Sequence, residues 1–76
     1  MNDKQIEVMQ MRIHPAYKLA MIAMLEKPSA NRNELSDFMN VDKTQLSNTT
    51  KKLSELGLVK TSRVDDSARV MYEVLI

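Results

Sequence analysis

Between positions 42 and 56, hydroxyl, amide and ammonium side chains recur at intervals of three and four residues. If this stretch is helical, one side carries the polar set Thr44, Gln45, Asn48, Lys51, Lys52 and Glu55. Gln and Asn amides can form paired hydrogen bonds with adenine, Thr bonds a base edge or touches a thymine methyl, and Lys binds guanine or phosphate. This chemistry is suited to reading bases in a DNA groove. For any single residue, a solvated helix face is the simpler interpretation.

The position of each side chain along this helix separates base contacts from phosphate contacts. The N-terminal half of such a helix reaches the bases, so we predict base contacts for Thr44, Gln45 and Asn48. The predicted phosphate contacts are Lys43, Ser47, Lys51, Lys52 and, near the start of the preceding helix, Arg32.

Positive charge is concentrated around the same stretch. The whole chain of 76 residues has a net charge of +1, but residues 43 to 63 contain five basic residues and one acidic residue, a net +4. Residues 1 to 42 have a net charge of −1 and residues 64 to 76 a net charge of −2. A local basic patch on a nearly neutral chain indicates a polyanion-binding surface.

Start and stop signals predict three helices that would position these side chains. Pro15 opens the first helix and Lys27-Pro28 ends it, with Leu19, Ile22 and Ala23 at helical spacing. Asn31 and Glu34 form a capping box for the second helix, whose inward face is Leu35, Phe38 and Met39.

A turn of two or three residues leads from the second helix to the third. Asn40 has the tolerance for positive φ that a helix end requires, and Val41 would fill the turn. Asp42 and Gln45 form a second capping box, and Gly57 ends the third helix. The inward face of this helix is Leu46, Thr50 and Leu53. Two short helices joined in this way form a helix-turn-helix.

The remaining residues predict a β-hairpin. Residues 58 to 64 are rich in β-branched side chains, residues 65 to 68 form a polar turn, and Val70, Tyr72, Val74 and Ile76 alternate along the second strand. Such a hairpin must pack on the helices to be stable. Arg63 and Arg69 flank its turn, where they either contact DNA phosphates or the minor groove, or form ion pairs with Asp65 and Asp66.

The predicted fold is α+β and mostly helical: a winged helix-turn-helix with three core helices and a C-terminal two-stranded wing. Residues 13 to 76 also resemble small MarR/ArsR-type winged helix-turn-helix transcriptional regulators. The resemblance is carried by His14-Pro15-Ala16-Tyr17-Lys18-Leu19, Glu34-Leu35, Asn40-Val41-Asp42, Gln45-Leu46-Ser47, Lys52-Leu53, Leu56-Gly57-Leu58-Val59 and Tyr72. It implies binding to double-stranded DNA, with the third helix in the major groove and the hairpin on the backbone or minor groove. Thr50 departs from the family, which usually has an aliphatic residue there and packs this helix more firmly.

Residues 1 to 12 precede this domain. Ile6, Met9 and Ile13 share helical spacing, so a short amphipathic helix would either fold back on the domain or form a homodimer contact.

Other functional classes find no support in the composition. The chain has no Cys, a single His at position 14 beside a proline, and one Gly, so we expect no metal site, no cofactor and no enzyme. The seven Met residues are expected to fill the core, and no apolar run is long enough to cross a membrane. We expect a cytoplasmic DNA-binding transcriptional regulator, specifically a repressor. The alternative is a winged helix that binds proteins, as an assembly factor or anti-repressor.

Overall fold

A computed structural model describes residues 2 to 63 and 70 to 76. At Arg63 it describes the backbone but not the side chain. The described elements are α1 (Asp3–Met9), α2 (Pro15–Glu26), α3 (Arg32–Met39), α4 (Lys43–Glu55), β1 (Val59–Arg63) and β2 (Val70–Val74). The predicted fold class is confirmed: α2 to α4 and the hairpin follow one another in the order of a winged helix-turn-helix. None of the helices in these two ranges is long and apolar enough to cross a membrane.

Helix α2 lies at the centre and contacts α1, α3, α4 and β2. It begins as predicted: Pro15 is the first residue, and the backbone N–H of Ala16 donates to Nδ1 of His14 over 3.0 Å. Its buried residues are Ala20, Met21, Ala23 and Met24. The predicted inward position of Leu19 is wrong, because this side chain is 52% exposed. The covered face of α2 is formed by these four residues, and Leu19 lies outside it.

Helix α3 begins with the predicted capping box. The Glu34 backbone N–H donates to Oδ1 of Asn31 over 2.9 Å, and the Asn31 N–H donates to Oε1 of Glu34 over 3.1 Å. The helix ends at Asn40, which has the predicted left-handed conformation with φ 56° and ψ 46°. This conformation lets α4 start at Lys43, three residues later.

The inward face predicted for α3 needs one correction. Leu35 is fully buried and Met39 packs against the core, but Phe38 is 51% exposed. Ser36 is buried in its place, and its hydroxyl donates to the carbonyl of Asn33 over 2.9 Å. A serine whose hydroxyl is satisfied within its own helix can face a core. The Phe38 ring lies instead under the ammonium group of Lys27, 5.2 Å from its centroid.

Helix α4 has the predicted ends, but not the predicted cap. Asp42 has extended N-cap backbone, with φ −68° and ψ 143°, and its side chain makes no cap hydrogen bond, so the Asp42–Gln45 capping box is wrong. Both side chains are exposed, and water competes for their hydrogen bonds. Gly57 follows the helix with φ 74°, the positive value expected of a C-terminal glycine.

The hairpin covers the end of the core. Strands β1 and β2 are antiparallel, with Val59 opposite Val74 and Thr61 opposite Tyr72. Val59 and Tyr72 are buried, and Val70, Val74 and Ile76 pack against the same cluster. That cluster also contains the fully buried side chains Val8, Met21, Leu35, Leu46 and Leu53.

The N-terminal segment forms α1, which packs on α2. Its buried residues are Gln5 and Val8. Ile6 and Met9, whose spacing predicted the amphipathic face, are 44% and 48% exposed. Helix α1 therefore packs on α2 through Gln5 and Val8, a face that the apolar spacing did not predict. The large apolar side chains of Ile6 and Met9 are exposed to solvent.

Candidate nucleic-acid interface

Helix α4 presents one polar face to solvent. Leu46, Thr50 and Leu53 are buried against the rest of the domain. The opposite face holds the predicted contact residues, and the exposed ones are Lys43, Thr44, Gln45, Asn48, Lys51 and Lys52. The fold thus leaves the base and phosphate candidates of α4 accessible, with Ser47 half-buried at one edge.

The face has two flanks. Thr44 and Asn48, one turn apart, lie near its middle by helical geometry. Gln45 lies on the flank beside α2 and the α3–α4 connection, where it lines a small cleft of about 30 Å³ with Leu19 and Val41. Lys51 lies on the other flank, beside the hairpin.

Arg32 is brought to this face by a contact between helices. At the start of α3, Nη1 of Arg32 lies 3.4 Å from Oγ of Ser47 on α4, within hydrogen-bond distance. The contact joins two predicted phosphate candidates that are 15 residues apart in sequence. It places a guanidinium group between the start of α3 and the middle of α4.

Lys52 has an acidic partner. Its ammonium nitrogen lies 3.6 Å from Oε2 of Glu55 on the next turn, and both side chains are largely exposed. Exposed pairs of this kind contribute at most about 1 kcal/mol to stability. The carboxylate nevertheless offsets the positive charge that Lys52 brings to the polar face.

A recess of about 330 Å³ lies between α4 and the hairpin. The described residues that line it are Arg32, Ser47, Thr50, Lys51, Ser54, Thr61, Val70 and Tyr72. Ser54 and Thr61 were not among the predicted site residues. Ser54 could have been found from helical spacing, since it lies on the same side of α4 as Ser47 and Lys51. Thr61 could not, because it reaches the recess only through the register of the hairpin.

Thr50 and Tyr72 form the buried part of this recess. The Thr50 hydroxyl donates to the carbonyl of Leu46 over 2.7 Å, so the helix accommodates a buried polar side chain here. Burial raises the pKa of the Tyr72 phenol above 10.0, while the positive charge of Arg32 and a hydrogen bond with the Thr50 side chain act in the opposite direction. Thr50 therefore makes a polar contact with the hairpin where an aliphatic residue would make an apolar one.

The wing is described only in part. Arg63 is the last residue of β1. Arg69 and the turn residues Asp65 and Asp66 lie outside the described residues. The DNA contacts predicted for Arg63 and Arg69 stay predictions.

The described residues contain no group of three His, Cys, Asp or Glu side chains that could hold a metal ion. Nδ1 of His14 accepts the hydrogen bond that caps α2. The imidazole thus has a structural role at the helix start.

A helix-turn-helix followed by a hairpin, with an exposed polar face on its second helix, defines a winged helix domain. The sequence matches the family model of the winged helix DNA-binding domain over residues 17 to 74, and the chain belongs to this family. The winged helix-turn-helix domain that the resemblance implied is thereby confirmed. No curated protein matches the sequence.

Solved structures of regulators share the fold. ZitR of Lactococcus lactis, determined in complex with DNA, is 19% identical with a TM-score of 0.64 over 87% of this chain and 47% of its own. PerR of Streptococcus pyogenes, a peroxide sensor, is 16% identical with a TM-score of 0.65 over 93% of this chain and 52% of its own. AdcR, a zinc-dependent MarR family transcriptional regulator, is 24% identical with a TM-score of 0.59 over 87% and 47%. This chain spans about half the length of these neighbours.

Proposed function

We propose that this protein binds double-stranded DNA sequence-specifically and represses transcription, with α4 in the major groove. The observation that carries the proposal is the exposed polar face of α4 in a chain that belongs to a DNA-binding family. The face is rich in the side chains that read base edges, and it lies in the segment of residues 43 to 63 with net charge +4.

Base readout belongs to the N-terminal half of α4. Asn48 and Thr44 occupy the middle of the exposed face, and Gln45 lies on the flank beside α2. These three side chains approach base edges when the helix start enters the groove.

The remaining polar residues position the domain on the backbone. Lys43, Lys51 and Lys52 contact phosphates from α4, and Arg32 does so from α3 with Ser47 beside it. Arg63 and Arg69 contact the backbone or the minor groove from the wing.

The functional unit is a homodimer whose two copies contact each other through α1. Ile6 and Met9 are large apolar side chains with exposed fractions of 44% and 48%, on a helix whose other face is docked on α2. Apolar side chains at a two-fold contact are removed from water. Two copies would read two half-sites one turn of DNA apart.

Repression is the simplest regulatory role for a domain that binds DNA sequence-specifically. A domain that occupies a promoter excludes polymerase without any contact to it, whereas activation needs a second surface that recruits it. A promoter-specific decrease in transcript yield in a purified transcription reaction is the expected result.

The first experiment is a fluorescence anisotropy titration with a pooled random-sequence duplex at about 50 and about 200 mM salt. Several phosphate contacts are expected to reduce the affinity by orders of magnitude between these two conditions. Absence of binding at the lower salt would contradict the proposal and favour the protein-binding winged helix. Salt-sensitive binding permits selection of the preferred sequence from the bound pool.

A further inference from the structure

The charged residues that the structure describes in the recess between α4 and the hairpin are all positive. Among the described residues that line it, two are cationic, Arg32 and Lys51, and none is acidic. Among the described residues, Lys51 has no acidic partner within 4 Å, unlike Lys52, which faces Glu55. Positive charge is therefore available inside the recess as well as on the outer face of α4.

Hydroxyl groups surround these two cations. Ser47 and Ser54 extend from α4, Thr61 from β1, and Thr50 and Tyr72 lie deeper. Thr61 lies directly opposite Tyr72 in the hairpin, and cross-strand partners project to the same face of a sheet. Hydroxyls and cations on facing walls match a ligand with several acceptor oxygens around one negative charge, such as a phosphate group.

Contacts within the protein position Arg32 and Thr50 of this site before a ligand binds. The contact of Nη1 with Oγ over 3.4 Å holds the Arg32 guanidinium against Ser47, at the edge of the recess. The hydroxyl of Thr50 is already engaged by the carbonyl of Leu46 at 2.7 Å, so the floor is fixed. Ser54 and Thr61 are exposed, so an oxygen of a ligand can reach their hydroxyl groups.

We infer that this recess binds one phosphate group of the DNA backbone, with Arg32 and Lys51 supplying charge and Ser54 and Thr61 supplying hydrogen bonds. The inference rests on the proposed function and adds two contact residues to it. It also places a backbone contact on the strand β1, apart from the turn of the wing.

The first test is a backbone amide spectrum of the ¹⁵N-labelled full chain, titrated separately with inorganic phosphate and with duplex DNA. Sodium chloride at matched ionic strength is the control. Binding of the duplex is measured independently by anisotropy. We expect the duplex to shift the Ser54 and Thr61 amides together with those of α4, and phosphate alone to shift the recess amides and leave Thr44 and Asn48 unmoved.

The outcomes separate the recess from the proposed function. Duplex binding with unmoved Ser54 and Thr61 amides overturns the recess site and leaves DNA binding intact. Shifts with phosphate but no duplex binding assign the recess to free phosphate groups and overturn the proposed function. Absence of both responses overturns both.

The second test is substitution of a hydroxyl that carries no charge. Thr61→Ala should weaken duplex binding about tenfold, because it removes a hydrogen bond to an ionised group, and should leave the salt slope unchanged. Thr61→Ser should keep the affinity. Ser62→Ala, on the opposite face of the same strand, is the matched control. Equal affinities for Thr61→Ala and Ser62→Ala would contradict the assignment.

Discussion

Gln5 on α1 and Glu26 at the end of α2 are joined by a hydrogen bond from Nε2 to Oε2 of 3.0 Å. The same amide nitrogen donates to the carbonyl of Ile22 over 3.2 Å, and Oε1 accepts from the backbone N–H of Asn2 over 3.0 Å. Gln5 is 2% exposed, so each polar atom of its amide has a partner where water is excluded. One side chain thus both caps α1 and docks it.

Replacing this glutamine should destabilise the domain. Gln5→Ala removes the glutamine's part of the cap of α1 and both hydrogen bonds to α2, and we expect the free energy of unfolding to fall by about 1 to 3 kcal/mol. Urea denaturation followed by circular dichroism measures the change. Glu7→Ala, at an exposed position of the same helix, is the control. Equal stabilities of the two variants would contradict a docking role for Gln5.

Alkaline pH should destabilise the protein through Tyr72. Burial raises the pKa of its phenol in the folded state above the ordinary 10.0. The folded state therefore holds this proton more tightly than the unfolded state. The stabilisation is complete below pH 10, and it is lost as the pH rises through the folded pKa. Urea denaturation of wild type and Tyr72→Phe from pH 8 upward measures it: the difference in stability should shrink above pH 10, and a constant difference would contradict the prediction.

Asn48 and Lys51 should affect DNA binding in different ways. Asn48→Ala removes an amide from the middle of the exposed face, so it should change the preferred sequence at one position, with a loss of about 1 to 3 kcal/mol there. Lys51→Ala should weaken binding to all sequences and lower the salt slope by about one. Anisotropy with the selected site and a random duplex distinguishes the two. Lys4→Ala on α1 is the control, and an unchanged preference in Asn48→Ala would contradict the readout assignment.

Removing the carboxylate of Glu55 should strengthen DNA binding. It lies 3.6 Å from the Lys52 ammonium group and faces the same side as the predicted phosphate contacts. Glu55→Gln is expected to raise the affinity several-fold at low salt, with a smaller gain at high salt as screening increases. Titrations at two salt concentrations test this. Unchanged or weaker binding at low salt would place Glu55 away from the DNA.

The exposed apolar side chains of α1 should determine the oligomeric state. Ile6→Ser and Met9→Ser together should convert the proposed dimer into a monomer and leave the fold intact, because neither side chain is buried in the protomer. Sedimentation velocity with a circular dichroism control measures both properties. A monomeric wild type, or a variant that still forms dimers, would exclude α1 as the contact.

Residues with a local conformational preference were predicted best. Pro15, the Asn31–Glu34 pair, Asn40 and Gly57 all occupy the helix ends that their backbone chemistry favours. These positions depend on neighbouring residues in sequence, so the sequence contains most of the information needed. They also explain why the order of elements could be predicted.

Apolar spacing was a weaker guide to burial. Leu19, Phe38 and Ile6 belong to regular helical patterns, yet each is about half exposed. Periodicity identifies residues on one side of a helix, but tertiary packing decides how far each covered face is rotated. Gln5 and Ser36 were missed for the converse reason, because the polar atoms of each find partners when buried: Gln5 on a neighbouring helix, and Ser36 within its own helix.

The residues of the candidate site also divide into those that the sequence predicts and those that tertiary contacts place. The exposed stripe of α4 follows from helical geometry and from the burial of Leu46 and Leu53, so its residues could be predicted from the sequence. The place of Arg32 beside Ser47, and of Thr61 beside α4, depends on contacts across the fold. No local pattern encodes them.

The left-handed Asn40 has a consequence for the thermodynamics of recognition. It compresses the connection between α3 and α4 to residues 40 to 42, and the N–H of Val41 is held by the carbonyl of Ser36 over 3.0 Å. A connection this short gives the two helices little freedom to reorient, so their arrangement is preorganised. Little conformational entropy is then lost on docking, and the heat-capacity change on binding should correspond to the contact area alone, without a coupled folding contribution.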